Sequence, residues 1–261
     1  MVNSLEIFSL TGKIALVTGG GSGLGQSNAI ALAKAGASLM IADIDFQKAE
    51  ETRKKISEIS KNVFSFKCDV SSVQEVKELV DETINKFNKI DILLNSAGVI
   101  PEQESILEMS ERNWDKVMDI NLKGTFLTCQ AVLKKMIPRR KGRIINMASA
   151  SGLVVNYKSP HVAPYCASKA GVIHLTKALA VEAAPYEITV NAISPAYMKT
   201  QMTEVKWQKD KEDYYRKISM LPLGRAGLPE ELSGLIVYLA SDNSAFMTGS
   251  NIVIDGGLTC W

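Results

Sequence analysis

The stretch KIALVTGGGSGLG, residues 13–25, decides the fold. A short apolar run ends at Thr18, and glycines at positions 19, 23 and 25 precede a helical pattern. Such glycines allow a sharp turn, a close approach of backbone N–H groups to a pyrophosphate, and tight packing of the helix against the strand. The spacing is T-G-x-x-x-G-x-G, which predicts a dinucleotide site at this turn. A plain glycine-rich turn is the alternative.

Short apolar runs and longer helical patterns alternate from this point to the C-terminus. The predicted strands are residues 13–18, 38–43, 62–68, 90–95, 143–147, 188–193 and 251–254. The predicted helices are residues 24–34, 46–60, 73–87, 110–120, 124–137, 165–183 and 229–240. Continuous apolar strands are typical of a parallel sheet that is covered on both faces. The pattern predicts a Rossmann-type doubly wound α/β fold with a seven-stranded parallel sheet.

No linker or change of composition divides the chain, so residues 1–261 are predicted to form a single domain. The least regular segment is residues 196–225, which lies between two ordered units. We expect this segment to be a lid that covers the substrate.

Composition and charge exclude several classes of function. The 30 basic and 28 acidic residues leave a net charge of +2, so we expect no nucleic-acid partner and no anionic membrane surface. One basic cluster is either a solvated loop or a docking patch for an acidic partner; its members are Lys134, Lys135, Arg139, Arg140, Lys141 and Arg143. No apolar run is long enough for a membrane span, and no signal peptide precedes the first strand.

The cysteines indicate neither disulfides nor a metal site. Cys68, Cys129, Cys166 and Cys260 share no C-x-x-C spacing, and only His161 and His174 could join them as ligands. We therefore expect reduced thiols, a cytoplasmic protein and no bound metal.

Two carboxylates follow predicted strands where a nucleotide would lie. Asp43 closes the second strand, 18 residues after Gly25, and there it accepts hydrogen bonds from ribose hydroxyls and repels a 2′-phosphate. No Arg or Lys stands in the glycine loop or directly after Asp43, which favours NAD over NADP. Asp43 could also cap a helix together with Asp45. Asp69 is predicted to reach the adenine edge, with a capping role beside Ser71 as the alternative.

Tyr165 and Lys169 are the candidate acid–base pair. Residues at i and i+4 share one helical face, so the phenol and the ammonium group can occupy one pocket. A free tyrosine has a pKa near 10. A nearby ammonium group and a positive nicotinamide would lower that pKa and allow proton exchange with a substrate oxygen.

These motifs and several others occur in the order typical of the short-chain dehydrogenase/reductase family, which the chain resembles over nearly its whole length. Besides the glycine loop and Tyr165-x-x-x-Lys169, the similar segments are NSAG at 95–98, DINLKGTF at 119–126, INMASASG at 145–152, PAYMKT at 195–200 and IDGG at 254–257. Ser96 and Ala196 depart from the family pattern, which has asparagine and glycine there.

The resemblance implies a catalytic set of four residues. Tyr165 would be the general acid or base, and Lys169 would lower the pKa of Tyr165 and bind the nicotinamide ribose. Ser149 would orient the reacting oxygen, with Ser151 as a competitor for that role. Asn121 would hold a water that relays protons to Lys169, or alternatively cap the helix that begins at Gly124.

The resemblance also implies the residues that bind NAD. They are Gly19, Ser22, Gly23, Leu24, Gly25, Asp43, Asp69, Val70, Asn95, Ala97, Gly98, Tyr165, Lys169, Pro195, Met198 and Thr200. A homotetramer built on the helices that begin at Gly124 and Tyr165 is implied as well.

The substrate is indicated only as a class. The long interval between Ser149 and Tyr165 and the C-terminal segment are similar to the polyol and ketose branch of the family, including gluconate 5-dehydrogenases. A sugar alcohol, ketose or sugar acid needs several hydrogen-bonding groups in its pocket. The candidate substrate residues are Ser151, Asn156, His161 and Gln201, with Tyr157, Ser159 and Lys199 as further possible donors.

Two other functions stay open. The first is a 3-oxoacyl carrier-protein reductase or another ketone reductase. Against the carrier-protein substrate, Tyr186 stands where the resemblance places a carrier-docking arginine. The second is a non-catalytic NAD-binding regulator, which the intact catalytic set disfavours.

Overall fold

A computed structural model of the chain describes residues 6–101, 104–155 and 161–260. Its seven strands are β1 (Ile14–Thr18), β2 (Ser38–Asp43), β3 (Val63–Lys67), β4 (Ile92–Asn95), β5 (Gly142–Met147), β6 (Ile188–Pro195) and β7 (Asn251–Ile254). They form one parallel sheet in the order β3-β2-β1-β4-β5-β6-β7. The predicted fold class and strand number are confirmed.

Helices cover both faces of this sheet. They are α1 (Gly23–Lys34), α2 (Phe46–Ser57), α3 (Val73–Phe87), α4 (Glu111–Met118), α5 (Gly124–Met136), α6 (Ala163–Ala183), α7 (Gln201–Lys209), α8 (Lys211–Ile218) and α9 (Ser233–Ala240). Side chains of Asp45, Ser72, Ser110 and Asp210 accept backbone hydrogen bonds at the starts of α2, α3, α4 and α8. These caps explain where the four helices begin, since first-turn N–H groups have no partner within the helix.

The hydrophobic core consists of one layer on each face. On one face, Ala29 and Leu32 of α1, Ile236 of α9 and Leu232, the residue before α9, pack in one buried cluster with the sheet. On the other, α3, α5 and α6 contribute a second buried cluster; among its members are Leu79, Leu127, Val132 and Leu179. All residues of β1, β4, β5 and β6 are buried, as the continuous apolar runs predict.

Three segments differ from the sequence prediction. Residues 196–225 contain α7 and α8, so the expectation of an irregular segment is wrong, although a lid role stays a prediction. The helices predicted at 110–120 and 124–137 are joined by a π-helical turn, Asp119–Lys123. The last predicted helix begins with a 3-10 turn, Pro229–Leu232, before α9.

Charged residues around the basic cluster lie where the strands begin. Five of the six cations meet carboxylates within 4.0 Å: Lys135 with Asp81, Arg139 with Asp91, Arg140 with Glu187, and Lys141 and Arg143 with Asp242. Asp91 and Glu187 each directly precede a strand, and Gly142 is the first residue of β5. The five cations share four carboxylates, and Asp242 and Asp91 also pair with Lys13 and Lys89, so the cluster keeps a net positive charge. The cations are nevertheless tied to carboxylates of the chain itself, which favours the solvated-loop interpretation.

No helix in the described ranges is long and apolar enough to cross a membrane. All four cysteines are free thiols; Cys68 and Cys129 are buried, Cys166 is half-buried and Cys260 is exposed. Within the described residues, no group of three metal-ligating side chains occurs.

Candidate active site

The sheet order places a crevice at the carboxyl ends of β1 and β4. Connections from β1 lead to β2 on one side, and the chain returns to β4 on the other, so helices leave these strands on opposite faces. A crevice at such a switch point is where doubly wound folds bind their ligands. The glycine loop and the segment that begins at Asn95 both open into it.

Glycine is required at two positions of the loop by close backbone contacts. Gly19 has φ 64°, and a Cβ there would lie 2.6 Å from the backbone of Ala97. A Cβ on Gly25 would lie 2.0 Å from the carbonyl oxygen of Gly19. The loop therefore packs directly against the end of β4 and against its own helix, as the spacing of the motif predicts.

Asp43 lies at the end of β2, beside the glycine loop. Its Oδ2 accepts a hydrogen bond of 2.9 Å from the Gly21 N–H, and its Oδ1 accepts one of 3.0 Å from the Asp45 N–H. The cap of α2 itself is Asp45, which accepts from the backbone of Gln47 and Lys48. Asp43 is thus held against the glycine loop, and its contact with the adenine ribose stays a prediction.

Asp69 and Val70 follow β3. Asp69 Oδ1 accepts from both the N–H and the hydroxyl of Ser71, at 2.9 and 2.7 Å, so the capping alternative describes what its carboxylate does in this structure. Val70 is buried, and its side chain lies 2.7 Å from where a Cβ on Gly124 would be. The contact with adenine stays a prediction for both residues.

The Asn95 side chain is fully engaged inside the protein. Its Oδ1 accepts from Thr128 at 2.7 Å and from Thr18 at 3.4 Å, while its Nδ2 donates to Asn146 at 2.9 Å and to the Cys129 sulfur at 3.2 Å. An asparagine amide has two donor hydrogens and two acceptor lone pairs, and all four are used here. Asn95 therefore ties three strands and α5 together, and only its backbone could serve a cofactor.

Asn121 lies in the π-helical turn between α4 and α5 and is fully buried. Its side chain exchanges hydrogen bonds with the backbone of Val99, at 2.8 and 3.0 Å, and donates to Ser168 at 3.1 Å. The helix continues through Asn121 without a break, so its alternative role as a helix cap is wrong. It instead connects the loop after β4 to α6. A π-turn of this kind frequently marks a functional site.

Gly98 marks the space between Asn121 and Lys169. A Cβ on Gly98 would lie 3.3 Å from Asn121 Oδ1 and 3.5 Å from Lys169 Nζ. Gly98, Asn121 and Lys169, which are distant in the sequence, thus surround one small space, which we call the Gly98 cradle. The missing side chain of Gly98 leaves room beside the ammonium group of Lys169, which suits a group with hydroxyls such as a nicotinamide ribose.

Ser149 and Tyr165 are hydrogen-bonded through their side chains. Ser149 also accepts a hydrogen bond of 3.1 Å from the Ser151 N–H, which holds the turn after β5. The structure therefore places Ser149, and not Ser151, against the phenol. Tyr165 is partly buried and stands in the first turn of α6.

Burial shifts the pKa values of both Tyr165 and Lys169. Burial raises the pKa of Tyr165 above its ordinary value of 10.0, while the hydrogen bond with Ser149 acts in the opposite direction. Burial also lowers the pKa of Lys169 to about 8. Lys169 Nζ donates to the Met147 carbonyl at 2.8 Å and lies 5.8 Å from the centre of the Tyr165 ring.

The expectation that Lys169 lowers the pKa of Tyr165 is thus not met by these residues alone. The physical reason is that burial disfavours the charged phenolate, and Lys169 Nζ lies 5.8 Å from the centre of the Tyr165 ring.

The segment after β6 closes the crevice from the other side. Pro195 ends the strand, Met198 is buried, and the Thr200 methyl lies 3.8 Å from where a Cβ on Gly23 would be. The resemblance assigns Pro195, Met198 and Thr200 to the cofactor, and the contact between Thr200 and Gly23 brings this segment to the glycine loop. Ser22, by contrast, is exposed and its side chain makes no capping hydrogen bond to α1.

The predicted substrate residues are only partly described. His161 is exposed with φ 72°, just before α6. Asn156 lies outside the described residues, as do Tyr157 and Ser159, and the side chain of Gln201 is not described either. Sequence reasoning missed Ser168, whose hydroxyl accepts from Asn121 and donates to the Tyr165 carbonyl. Its position at i+3 from Tyr165, on the buried face of α6, was the available signal.

The glycine loop, the Gly98 cradle and the charged side chains around the crevice fit a nicotinamide dinucleotide. The glycine loop would hold the pyrophosphate, Asp43 the adenine ribose, and Lys169 the nicotinamide ribose beside Gly98. A doubly wound sheet with this crevice, and with serine, tyrosine and lysine at its edge, defines a dinucleotide-binding oxidoreductase.

Comparison with known proteins names the family. A family model described as enoyl-(acyl carrier protein) reductase matches residues 19–259. The chain is 39% identical to 3-oxoacyl-[acyl-carrier-protein] reductase FabG of Thermotoga maritima over 95% of its length and 98% of that protein's. It is 38% identical to 2-dehydro-3-deoxy-D-gluconate 5-dehydrogenase of Dickeya dadantii, covering 97% and 98%. It is also 38% identical to NAD-dependent glycerol dehydrogenase of Listeria innocua, covering 97% and 96%.

Comparison with solved structures finds the same fold. The crystal structure of gox2181 superposes with a TM-score of 0.94 at 36% identity, covering 98% of this chain and 99% of that one. The chain belongs to the short-chain dehydrogenase/reductase family. It is therefore an oxidoreductase that acts on CH–OH groups.

Proposed function

We propose that this enzyme transfers hydride between NAD(H) and the secondary alcohol or ketone of a small sugar alcohol, ketose or sugar acid. The observation that carries the proposal is the constellation at the end of the crevice. Ser149 is hydrogen-bonded to Tyr165, and Lys169 and Asn121 enclose the cradle at Gly98.

The residues divide the chemistry between them. When bound, NAD would supply the hydride acceptor for oxidation and a positive charge that favours the ionised form of Tyr165. In that direction, Ser149 donates a hydrogen bond to the reacting oxygen and positions it. Tyr165 takes the hydroxyl proton from that oxygen as the carbon gives up its hydride. In reduction the proton returns from Tyr165 to the carbonyl oxygen. Lys169 holds the ribose and keeps a positive charge beside Tyr165.

The cofactor preference rests on Asp43. Its carboxylate is held beside the glycine loop by the Gly21 N–H, and a 2′-phosphate there would meet a like charge. Among the relatives, one is named as an NAD-dependent glycerol dehydrogenase. Both observations favour NAD over NADP.

The substrate class rests on charge and position. A carrier-protein substrate would need a basic surface near the crevice, but the basic cluster lies at the opposite edge, where the strands begin. Five of its six cations are also paired with carboxylates. The gluconate and glycerol dehydrogenases among the relatives agree with a small polar substrate.

The second candidate function is a 3-oxoacyl carrier-protein reductase. The specific observation in its favour is the 39% identity to an enzyme of that name. The polyol proposal is preferred because Asp43 disfavours NADP and because Tyr186 stands where the resemblance places a carrier-docking arginine.

We also propose a homotetramer that uses the outer faces of α5 and α6. Phe126 on α5 and Val181 on α6 are exposed apolar side chains, 40% and 76% accessible. Such residues on neighbouring helices are suited to an interface between copies of the chain.

The test is a substrate panel with a matched pair of tyrosine variants. Wild type is expected to oxidise C4–C6 polyols with NAD and to reduce the matching ketoses with NADH. Tyr165→Phe should lower kcat by at least about 1,000-fold while NADH still binds, because the proton donor is lost and the pocket is kept. Tyr186→Phe, which changes a partly buried tyrosine away from the crevice, should retain full activity. Full activity of Tyr165→Phe would overturn the proposed mechanism, and activity only on acyl thioesters would favour the second candidate.

A further inference from the structure

Lys199 is a cation that the family resemblance does not assign to the cofactor. It stands in the segment after β6, directly before Thr200, and its backbone N–H is anchored to the Gly227 carbonyl at 2.7 Å. Met198, the residue before it, is buried, so the chain direction turns Lys199 outward. From sequence, Lys199 was one possible donor to a substrate.

The structure places Lys199 beside the glycine loop. A cavity of about 1010 Å³ lies between α1 and α9, and Lys199 and Thr200 line it together with Gly23, at the end where α1 begins. Gly23 belongs both to this cavity and to the glycine loop that opens into the crevice. Thr200 itself is in van der Waals range of Gly23. The ammonium group of a lysine reaches several ångströms from its backbone, so Lys199 can reach a group that is bound at this end of the cavity.

The ammonium group of Lys199 has only a weak partner. Its Nζ lies 3.1 Å from Glu204 Oε1 on α7, and the two side chains are 49% and 44% exposed. Solvent screens an ion pair of this exposure, and such pairs contribute about 0–1 kcal/mol. A pyrophosphate carries more charge and would compete well for the same ammonium group.

We propose that Lys199 binds the pyrophosphate of the dinucleotide and that Glu204 competes with the pyrophosphate for it. Binding moves the ammonium group from the carboxylate on α7 to the phosphate oxygens at Gly23 and Thr200. This assignment rests on the proposed function, because that function supplies the dinucleotide. It makes Lys199 a determinant of cofactor affinity and not of substrate choice.

The experiment measures the Kd of NADH and of ADP-ribose by calorimetry, without any substrate. Lys199→Met should weaken both ligands by about 10-fold, since one charge-assisted contact to phosphate is lost. Lys199→Arg should restore most of the affinity. Glu204→Gln should tighten both ligands by about 3-fold, because the competing carboxylate is gone. Lys34→Met is the matched control: Lys34 lines the same cavity at the far end of α1, and its loss should leave both Kd values unchanged.

The outcomes separate this assignment from the proposed function. Unchanged Kd values in Lys199→Met, with NADH bound normally by wild type, would overturn the role of Lys199 alone. A higher KM for the carbonyl substrate with unchanged cofactor Kd would return Lys199 to the substrate pocket. If wild type bound neither NADH nor ADP-ribose, the proposed function would fail first and the role of Lys199 with it. Equal weakening by Lys34→Met would show a general charge effect and also overturn the assignment.

Discussion

Lys169 combines a place in the proposed active site with a cost to stability. Its ammonium group is buried in the crevice, its Nζ donates to the Met147 carbonyl, and burial lowers its pKa from 10.5 to about 8. The unfolded chain holds this proton up to its ordinary pKa, while the folded chain releases it earlier. Below pH 8 both states are protonated and the folded state bears the full cost of the buried charge.

This difference predicts how stability depends on pH. Between pH 8 and 10.5 the unfolded state binds more protons, so the contribution of Lys169 to the free energy of unfolding rises with pH. Relative to Lys169→Met, wild type should gain on the order of a few kcal/mol across this window. Denaturant unfolding of both proteins at a series of pH values measures it. A constant difference between the two proteins across that window would contradict the lowered pKa.

The residue scale also shows what spacing alone could predict. The glycine loop, Tyr165 and Lys169 were found from short motifs, because helical and strand periodicity place such residues on one face. Asn95 was expected to bind the cofactor, yet its side chain is fully hydrogen-bonded to Thr128, Asn146 and neighbouring residues. These partners lie 33 and 51 residues away in the chain, so no local pattern reveals them.

At the scale of single elements, α1 and α9 contain glycines with opposite surroundings. A Cβ on Gly25 in α1 would lie 2.0 Å from the Gly19 carbonyl oxygen, whereas a Cβ on Gly234 in α9 would meet nothing within 4 Å. Both residues are helical, so their intrinsic helix propensity is the same and only the surroundings differ.

The two glycines therefore predict opposite effects of one substitution. Gly25→Ala should destabilise the fold or abolish NADH binding, because the backbone of Gly19 must move away. Gly234→Ala should stabilise the protein by about 0.5–1 kcal/mol, since alanine is the better helix former. Thermal unfolding and NADH binding of the two variants provide the comparison. A harmless Gly25→Ala would show that the loop is looser than its contacts indicate.

The elements after β6 show where sequence periodicity failed. Helices α7 and α8 are short, and neither forms a continuous apolar stripe of the length seen in α3 or α6. They are held by tertiary contacts: Trp207 and Ile218 pack with Leu221 and Ala226 in a small separate core. A cluster assembled from four short segments leaves little periodic signal in any one of them.

On the scale of the whole molecule, the outer face of α6 predicts assembly. Val181→Glu should lower the solution mass from a tetramer to smaller species, because a charge would be buried in the proposed interface. The matched control is Val73→Glu on α3, where the side chain is 64% exposed on a different helix and the mass should not change. Light scattering at several concentrations gives the masses. A wild-type mass equal to one chain would contradict the tetramer.

The sequence by itself determined the doubly wound class, the glycine loop and the Tyr165–Lys169 pair, because each depends on local periodicity and short spacing. The place of Ser149 followed from the family resemblance. Only the tertiary structure decided the rest. It paired cations of the basic cluster with carboxylates such as Asp242, 99 residues from Arg143. It also brought Lys199 and Gly23 to the rim of one cavity and engaged the Asn95 side chain inside the sheet. These outcomes depend on partners that are brought together by parallel strand pairing, and strand pairing joins residues that are far apart in the chain.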